Sequence, residues 1–428
     1  MKKFLLAATS VLFSIAVFSQ SPAASSAKTL KETNPTSAGF SPERLARIDK
    51  LLQEYVDKKW TAGGSAIIVH NGSIVYYKGF GYDDVDTKKP EKKDAIFRIA
   101  SQTKAITSVA VMILYEQGKF LLDDAVSTYI PEFKNPKVLD KFNEKDTTYT
   151  TVPAKREITI RDLLTHTSGI GYAQIGSKEA NAIYYKNGIW GGIGVDKIIL
   201  GDKMKILGSM PLFHQPGEKF TYGLNTDLLG YLVEVVSGMS LSDFFKKNIF
   251  EPLGMNDTYF YLPKEKYNRL AALYAEDSTK HVKKMEDYID LNGRVYRDFP
   301  IMAGTYYSGG GGLSSTAYDY AIFMQMMLNG GEYNGKRILA RNTVRMMTQN
   351  QIGDLGEFGL GFGIVTEKNA AKTPVSVGTF DWGGMFSSSY WIDPKEKIVA
   401  QLFLNQYPMS HGDIHEKFKA MVYGALTE

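Results

Sequence analysis

The sequence predicts an α+β fold in which both chain ends join one antiparallel sheet, flanked by helices, with a mostly helical lobe inserted between them. Three observations predict it. The chain opens on a helix and a hairpin, it closes on successive strands and a helix, and its long middle is helical and loop-rich.

Ser41 can cap a helix with Pro42 at its first position, and Leu45, Ile48, Leu51, Leu52, Tyr55 and Val56 follow at helical spacing. SAIIVH and SIVYYKGFG are β-branched and aromatic runs joined by Asn71-Gly72, a pair that tolerates the positive φ of a tight hairpin turn. AITSVAVMILYEQG reads as a helix stopped at Gly118, and further helical stretches fall at 226–236 and 316–328. The polar stretch 140–157, DKFNEKDTTYTTVPAKRE, reads as an exposed loop. GLGFGIV, PVSVGTF, SSSYWID and KIVAQLFLN then read as strands, with Asp393-Pro394-Lys395 as a turn, and HGDIHEKFKAMVYGAL as one amphipathic helix. These elements make residues 41–428 one domain with a lobe inserted at roughly 101–330, and the cleft between the two parts is the expected site. No internal repeat is evident.

Lys2 and Lys3 precede an apolar run at 4–18 that is short for a bilayer span, which reads as a secretory signal peptide over 1–24, with cleavage between 19 and 24. Residues 25–40, rich in Ser, Ala, Thr and Pro, read as a flexible leader. Export to the periplasm or the medium is therefore expected, with no stable membrane anchor once the signal is removed. There is no cysteine, which excludes disulfides, thiol catalysis and thiolate metal sites, so stability has to come from a large core. The net charge of +4, half of it from Lys2 and Lys3, is scattered; this argues against nucleic acid as a partner.

In FRIASQTKAITSVAVMIL, Ser101 and Lys104 stand three apart at a helix start and so share a face. A serine there gains from the helix dipole, and a lysine of depressed pKa can take its proton. Alone the spacing is weak, since Ser25-Ser26-Ala27-Lys28 repeats it in the leader. The apolar approach and the apolar helix behind Ser101 set it apart from that match, and by themselves leave both a nucleophile and a plain helix cap open.

FRIASQTKAITSVAVMILYEQGK, ITIRDLLTHTSGI at 158–170, PGEKFTYGLNTDLLGYLVEVVSG at 216–238 and SGGGGLSSTAYDYAIFMQMMLNGG at 308–331 occur in this order. Together they resemble the serine β-lactamase-like hydrolases, relatives of class C β-lactamases, D-alanyl-D-alanine carboxypeptidases and family VIII carboxylesterases. The resemblance covers about 40–425 and implies a β-lactamase/transpeptidase-like fold. It also implies Ser101 as nucleophile, Lys104 as its partner in proton transfer, and Tyr222 as the second-motif tyrosine, the phenol and amine acting as one base. Tyr185-Lys186-Asn187 fits the Tyr-x-Asn pattern better, but Pro216-Gly217, Phe220 and the following helix favour Tyr222; Tyr185 is then a lobe-packing or cleft-wall aromatic.

Leu224 stands where β-lactamases carry an asparagine that binds the substrate amide, so it is a candidate substrate contact of altered chemistry. Lys372-Thr373 is followed by Pro374 and makes a poor third motif. Trp382-Gly383-Gly384 sits where the cleft-lining strand belongs, as in esterase-like members, and the resemblance places an oxyanion hole at the amides of Ser101 and Met385. Trp190-Gly191-Gly192 reads as a loop or cleft wall. His166 reads as structural. His411 and His415, four apart, lack a third ligand and are not read as a metal site. The glycines at 309–312 lack a phosphate-loop ending and read as a tight loop before a helix capped by Ser315 or Thr316.

The resulting expectation is an exported serine hydrolase without a cofactor that forms an acyl-enzyme on Ser101. Carboxylic esters are favoured, because Trp382 replaces a lysine that would meet a substrate carboxylate. The alternatives are a β-lactamase or D-amino-acid peptidase on amide or lactam substrates, an acyltransferase to an alcohol, and a catalytically silent binding protein. The pattern sets no oligomeric state.

Overall fold

The computed structural model describes residues 29–189, 191, 193, 198–290 and 294–427. The proposed signal peptide and Trp190-Gly192 therefore lie outside the described residues, apart from Gly191. Among the described residues no single helix is long and apolar enough to cross a membrane.

The first helix, α1 (Pro42–Asp57), starts as read: the Ser41 hydroxyl accepts from the Arg44 amide, and the six apolar residues at helical spacing are all buried. Strands β1 (Gly63–His70) and β2 (Ser73–Asp84) form the hairpin, with Asn71 at φ 50° and Gly72 at 75° in its turn. After the two-residue strand β3 (Lys89–Pro90) the chain leaves the sheet, and it returns only at β4 (Gly363–Ile364). Strands β5 (Phe380–Gly384), β6 (Ser388–Asp393) and β7 (Ile398–Phe403) follow, and the sheet order is β4-β5-β6-β7-β1-β2-β3. The two chain ends meet at the β1/β7 pair, where Ile67 stands opposite Gln401.

Packing follows from the alternation of side chains across the strands. One face, with Ile68, Trp391 and Ala400, packs on α1 and on the C-terminal helix α5 (Ile414–Gly424). The other face, with Ile67, Tyr390 and Phe403, packs on α2 (Thr103–Glu116) and α4 (Ala317–Leu328). Between these two helices in sequence lies α3 (Asn225–Ser237), which packs on α2 and carries the second-motif tyrosine just before its first turn. Thr316 caps α4, its hydroxyl accepting from the Asp319 amide.

Three expectations are corrected. Residues 29–40 are structured rather than flexible: Leu30 is buried, and Thr33 and Lys31 exchange backbone hydrogen bonds with Ile74 of β2. Two apolar anchors, Leu30 and Phe40, ten residues apart leave no periodic trace. The polar stretch 140–157 belongs to an exposed hairpin of Lys137–Phe142 and Tyr149–Pro153, not to a loop. The strand assigned to PVSVGTF is FDWGG instead, because Gly378 (φ 88°) turns the chain and pairing with β6 begins only at Phe380.

Candidate active site

Ser101 is presented by a strained corner. Ile99 is tied by its amide to Leu313 O, and Ala100 then adopts φ 43°, a left-handed conformation that costs an alanine about 1–2 kcal/mol. A 3-10 turn, Ala100–Gln102, leads into α2. Ser101 thus faces the cleft while Lys104, one turn on, is buried.

The Lys104 ammonium stands 3.2 Å from Ser101 Oγ, 3.0 Å from Tyr172 Oη and 2.6 Å from Gly310 O. Three acceptors match the three N–H bonds of an ammonium. Burial pulls the lysine pKa down, but the neighbouring Tyr172, Tyr222 and Asp227 outweigh it and hold the group above its ordinary value.

Tyr222 reaches the same spot by a different route from that expected. Its ring face lies 4.7 Å from Lys104 Nζ, while its hydroxyl sits 3.4 Å from Trp382 Nε1. The hydroxyl bonded to the lysine at rest belongs to Tyr172, two residues past the HTSGI motif. The two tyrosines are held together by backbone pairing: Thr221 N donates to His166 O, and Leu224 N to Gly171 O. A Cβ on Gly223 would lie 2.1 Å from Ile170 O, so only glycine permits this crossing. His166 supports the junction, as read: it is buried, with Nδ1 at 2.9 Å from Asn225 Nδ2, and its ring packs on Tyr222 and Phe358. Burial, reinforced by Lys104, pushes its pKa well below the usual value.

Trp382 closes the wall opposite, its ring 5.6 Å from Tyr222 and 5.2 Å from Phe358. Gly384 packs directly on the corner that presents Ser101: a Cβ there would lie 2.3 Å from Ile99 O. This contact carries β5, and with it Met385, to the Ser101 side of the cleft. One cavity of about 720 Å³ is lined by Ser101, Tyr172, Tyr222, Trp382, Gly383, Gly384 and Met385, and runs on to Asp381, His415 and Lys419.

Leu224 does not join them. Its side chain is wholly buried in the core at the start of α3, so it offers nothing to a substrate. Asn225 is also turned inward, its amide oxygen accepting from Ser168 Oγ at 2.5 Å. Tyr185 is neither packed nor a wall: it is exposed on the helix Lys178–Lys186. His411 stacks on Trp60, whereas His415 bonds Ser389 Oγ at 2.7 Å, so the two histidines face different surroundings.

Sequence reasoning missed Tyr172 and Asp227. Tyr172 follows a recognised motif by two residues. Asp227 is a wholly buried carboxyl at the first turn of α3.

A serine, a buried lysine and two tyrosines between an antiparallel sheet and a helical lobe define a serine hydrolase of the β-lactamase fold. The chain belongs to the Beta-lactamase family, whose model matches residues 48–420. It is similar to esterase EstB of Burkholderia gladioli, 30% identical over 394 residues that span 88% of this chain and 94% of the relative. It is equally similar to an Escherichia coli (strain K12) protein named, provisionally, a D-alanyl-D-alanine carboxypeptidase, at 30% over 421 residues, 93% of this chain and 90% of that one. Among solved structures, EstCE1, described as a hydrolase with promiscuous acyltransferase activity, superposes with a TM-score of 0.77 at 28% identity, covering 89% of this chain and 99% of EstCE1.

Proposed function

We propose that the protein is an exported serine hydrolase that forms an acyl-enzyme on Ser101 and acts preferentially on carboxylic esters. The observation that carries the ester preference is the wall around Ser101: Tyr172, Ile175, Tyr222 and Trp382 are aromatic or apolar. Among the described residues that line the cavity, the one cationic side chain is Lys419, paired with Glu416 at 3.1 Å. A substrate carboxylate therefore finds no free cation on the cavity wall, since Lys104 is buried behind Ser101 with its N–H groups taken by Ser101, Tyr172 and Gly310, whereas an uncharged ester loses nothing by entering.

In this reading Lys104 works as the free amine, its proton released to solvent and its nitrogen held beside Tyr172 and Gly310, and Ser101 Oγ attacks the ester carbonyl as the serine proton passes to that amine. The amides of Ser101 and Met385 hold the oxyanion, each contributing a few kcal/mol. The C–O bond of the ester breaks, the alkoxide takes the proton from Lys104 and leaves as the alcohol, and a water activated by the same groups releases the acid. The test is a fluorophosphonate probe read by mass spectrometry, followed by a panel of p-nitrophenyl butyrate, a chromogenic cephalosporin and a D-alanyl-D-alanine peptide. An adduct on Ser101, lost in Ser101→Ala, with the ester turned over fastest, is expected. Efficient cephalosporin or peptide turnover with negligible ester turnover overturns the preference, and no adduct overturns the nucleophile.

Transfer of the acyl group to an alcohol is a second outcome of the same intermediate, favoured by the likeness to EstCE1. Methyl ester formation from p-nitrophenyl butyrate in dilute methanol would measure it, and its absence would leave hydrolysis alone.

A further inference from the structure

Asp227 is a buried ionisable group beside the site that the mechanism does not use. It lies in the first turn of α3, five residues after Tyr222, and is wholly buried. Oδ1 accepts from Ser308 Oγ at 2.6 Å and from the Gly310 amide at 3.3 Å. Oδ2 is buried with no hydrogen-bond partner among the described residues. Gly310 is the other half of the arrangement, since its carbonyl accepts from Lys104 Nζ at 2.6 Å. A single residue thus joins Lys104 to the Asp227 carboxyl, whose pKa burial raises while Lys104 and the hydrogen bonds from Ser308 and Gly310 draw it back down. A Cβ on Gly310 would lie 2.3 Å from Asp227 Oδ2, so this contact needs glycine.

The groups facing Lys104 are Ser101, Tyr172, Tyr222, His166 and, across Gly310, Asp227. Tyr306 also faces Asp227. Tyr172, its pKa raised by burial, and His166, its pKa lowered by burial, bring no charge of their own in the neutral range. A buried ammonium without an anion is strongly disfavoured, and a buried carboxylate without a cation equally so.

The geometry points to Asp227 as the counter-charge of Lys104 and as a positioning residue for acylation, which through Gly310 sets where the lysine stands and over which pH range Ser101 reacts. This rests on Ser101 being the residue acylated. Asp227 touches no substrate; it acts through the lysine.

Asp227→Asn, nearly isosteric, tests it. The rate of fluorophosphonate labelling of Ser101 should rise with pH in both proteins, because the free amine is the form that takes the serine proton. Without the anion the ammonium loses its proton more readily, so the rise moves to lower pH by about one to two units. On the rising limb of the unmodified protein, the variant's rate relative to its own plateau should then be at least tenfold higher. A limb that does not move overturns the proposal.

A melting-temperature cycle with Lys104→Met gives a second reading that needs no activity. Two counter-charges predict that Lys104→Met/Asp227→Asn recovers stability relative to the sum of the single losses. Additive losses overturn the pairing. A double variant that folds where Asp227→Asn alone does not supports it, and failure of both to fold overturns it. Wild-type protein that takes no label on Ser101 would sink the hydrolase reading instead, and the cycle would still judge the pair.

Discussion

The indole Nε1 of Trp382 lies 3.4 Å from the phenol oxygen of Tyr222, and this contact joins strand β5 of the sheet to the helical lobe at the candidate nucleophile. The tryptophan therefore does two things: it walls the cavity and orients a tyrosine hydroxyl. Trp382→Phe keeps the wall and removes the N–H, so kcat on a short ester should fall with KM nearly unchanged. Trp382→Lys should shift the ratio of ester to anionic lactam turnover toward the lactam. Steady-state kinetics on p-nitrophenyl butyrate and a cephalosporin measure both; an unchanged ratio for the lysine variant would refute the role given to the tryptophan.

Tyr172→Phe removes the hydroxyl that accepts from Lys104 at 3.0 Å. If that hydroxyl is part of the proton relay, kcat/KM should drop by roughly 10²-fold. The melting temperature should fall only slightly, since one hydrogen bond is worth about 1 kcal/mol net. Activity within twofold of the unmodified protein would assign Tyr172 to packing alone.

Gly384→Ala places a methyl where Ile99 O already stands, and backbone has to move on one side or the other. Overpacking of this kind costs about 1–3 kcal/mol, and displacing β5 from the Ser101 corner should cost ~10²-fold in kcat. Gly383→Ala is the control, because its nearest neighbour, Ser388 O, lies at 3.0 Å rather than 2.3 Å. Equal effects of the two substitutions on kcat would argue against the close approach at Gly384.

His415 links α5 to β6 through Ser389, and burial lowers its pKa to about 4, with Glu416 opposing and Lys419 assisting. The folded state thus prefers the neutral ring. The resulting stability is complete above the unfolded pKa near 6.5 and is lost as pH falls from there toward 4. It amounts to at most about 3 kcal/mol, and less given the partial exposure of the ring. His415→Asn keeps a polar partner for Ser389 without the titration. Its melting temperature should fall less between pH 7 and pH 4.5 than that of the unmodified protein; an equal fall would place the acid sensitivity elsewhere.

Much of this was legible from local pattern. Ser41-Pro42, Asn71-Gly72 and the apolar spacing of α1 report structure because a cap, a turn and an amphipathic face are each decided by neighbours a few residues away. Ser101 and Lys104 were legible for the same reason, lying one helical turn apart. Tyr222 was placed by the motif around it, whereas its hydroxyl's partner was not, because Trp382 is 160 residues distant.

Leu224 shows the limit from the other side. A position within a motif suggested substrate contact, but the side chain turns into the core once α3 packs on α2. Tyr172, Asp227 and Gly310 carry no local mark of their role; they matter only because the Ser308–Gly312 region and the His166–Tyr172 segment close over Lys104 from opposite ends of the inserted chain. The fold class, the two chain ends in one sheet and the serine-lysine pair follow from the order of residues alone. Which hydroxyl meets the lysine, which anion balances it and which glycine lets a strand touch the serine's corner emerge only in the folded chain, because each depends on backbone segments brought together across long stretches of sequence rather than on any residue's own propensity.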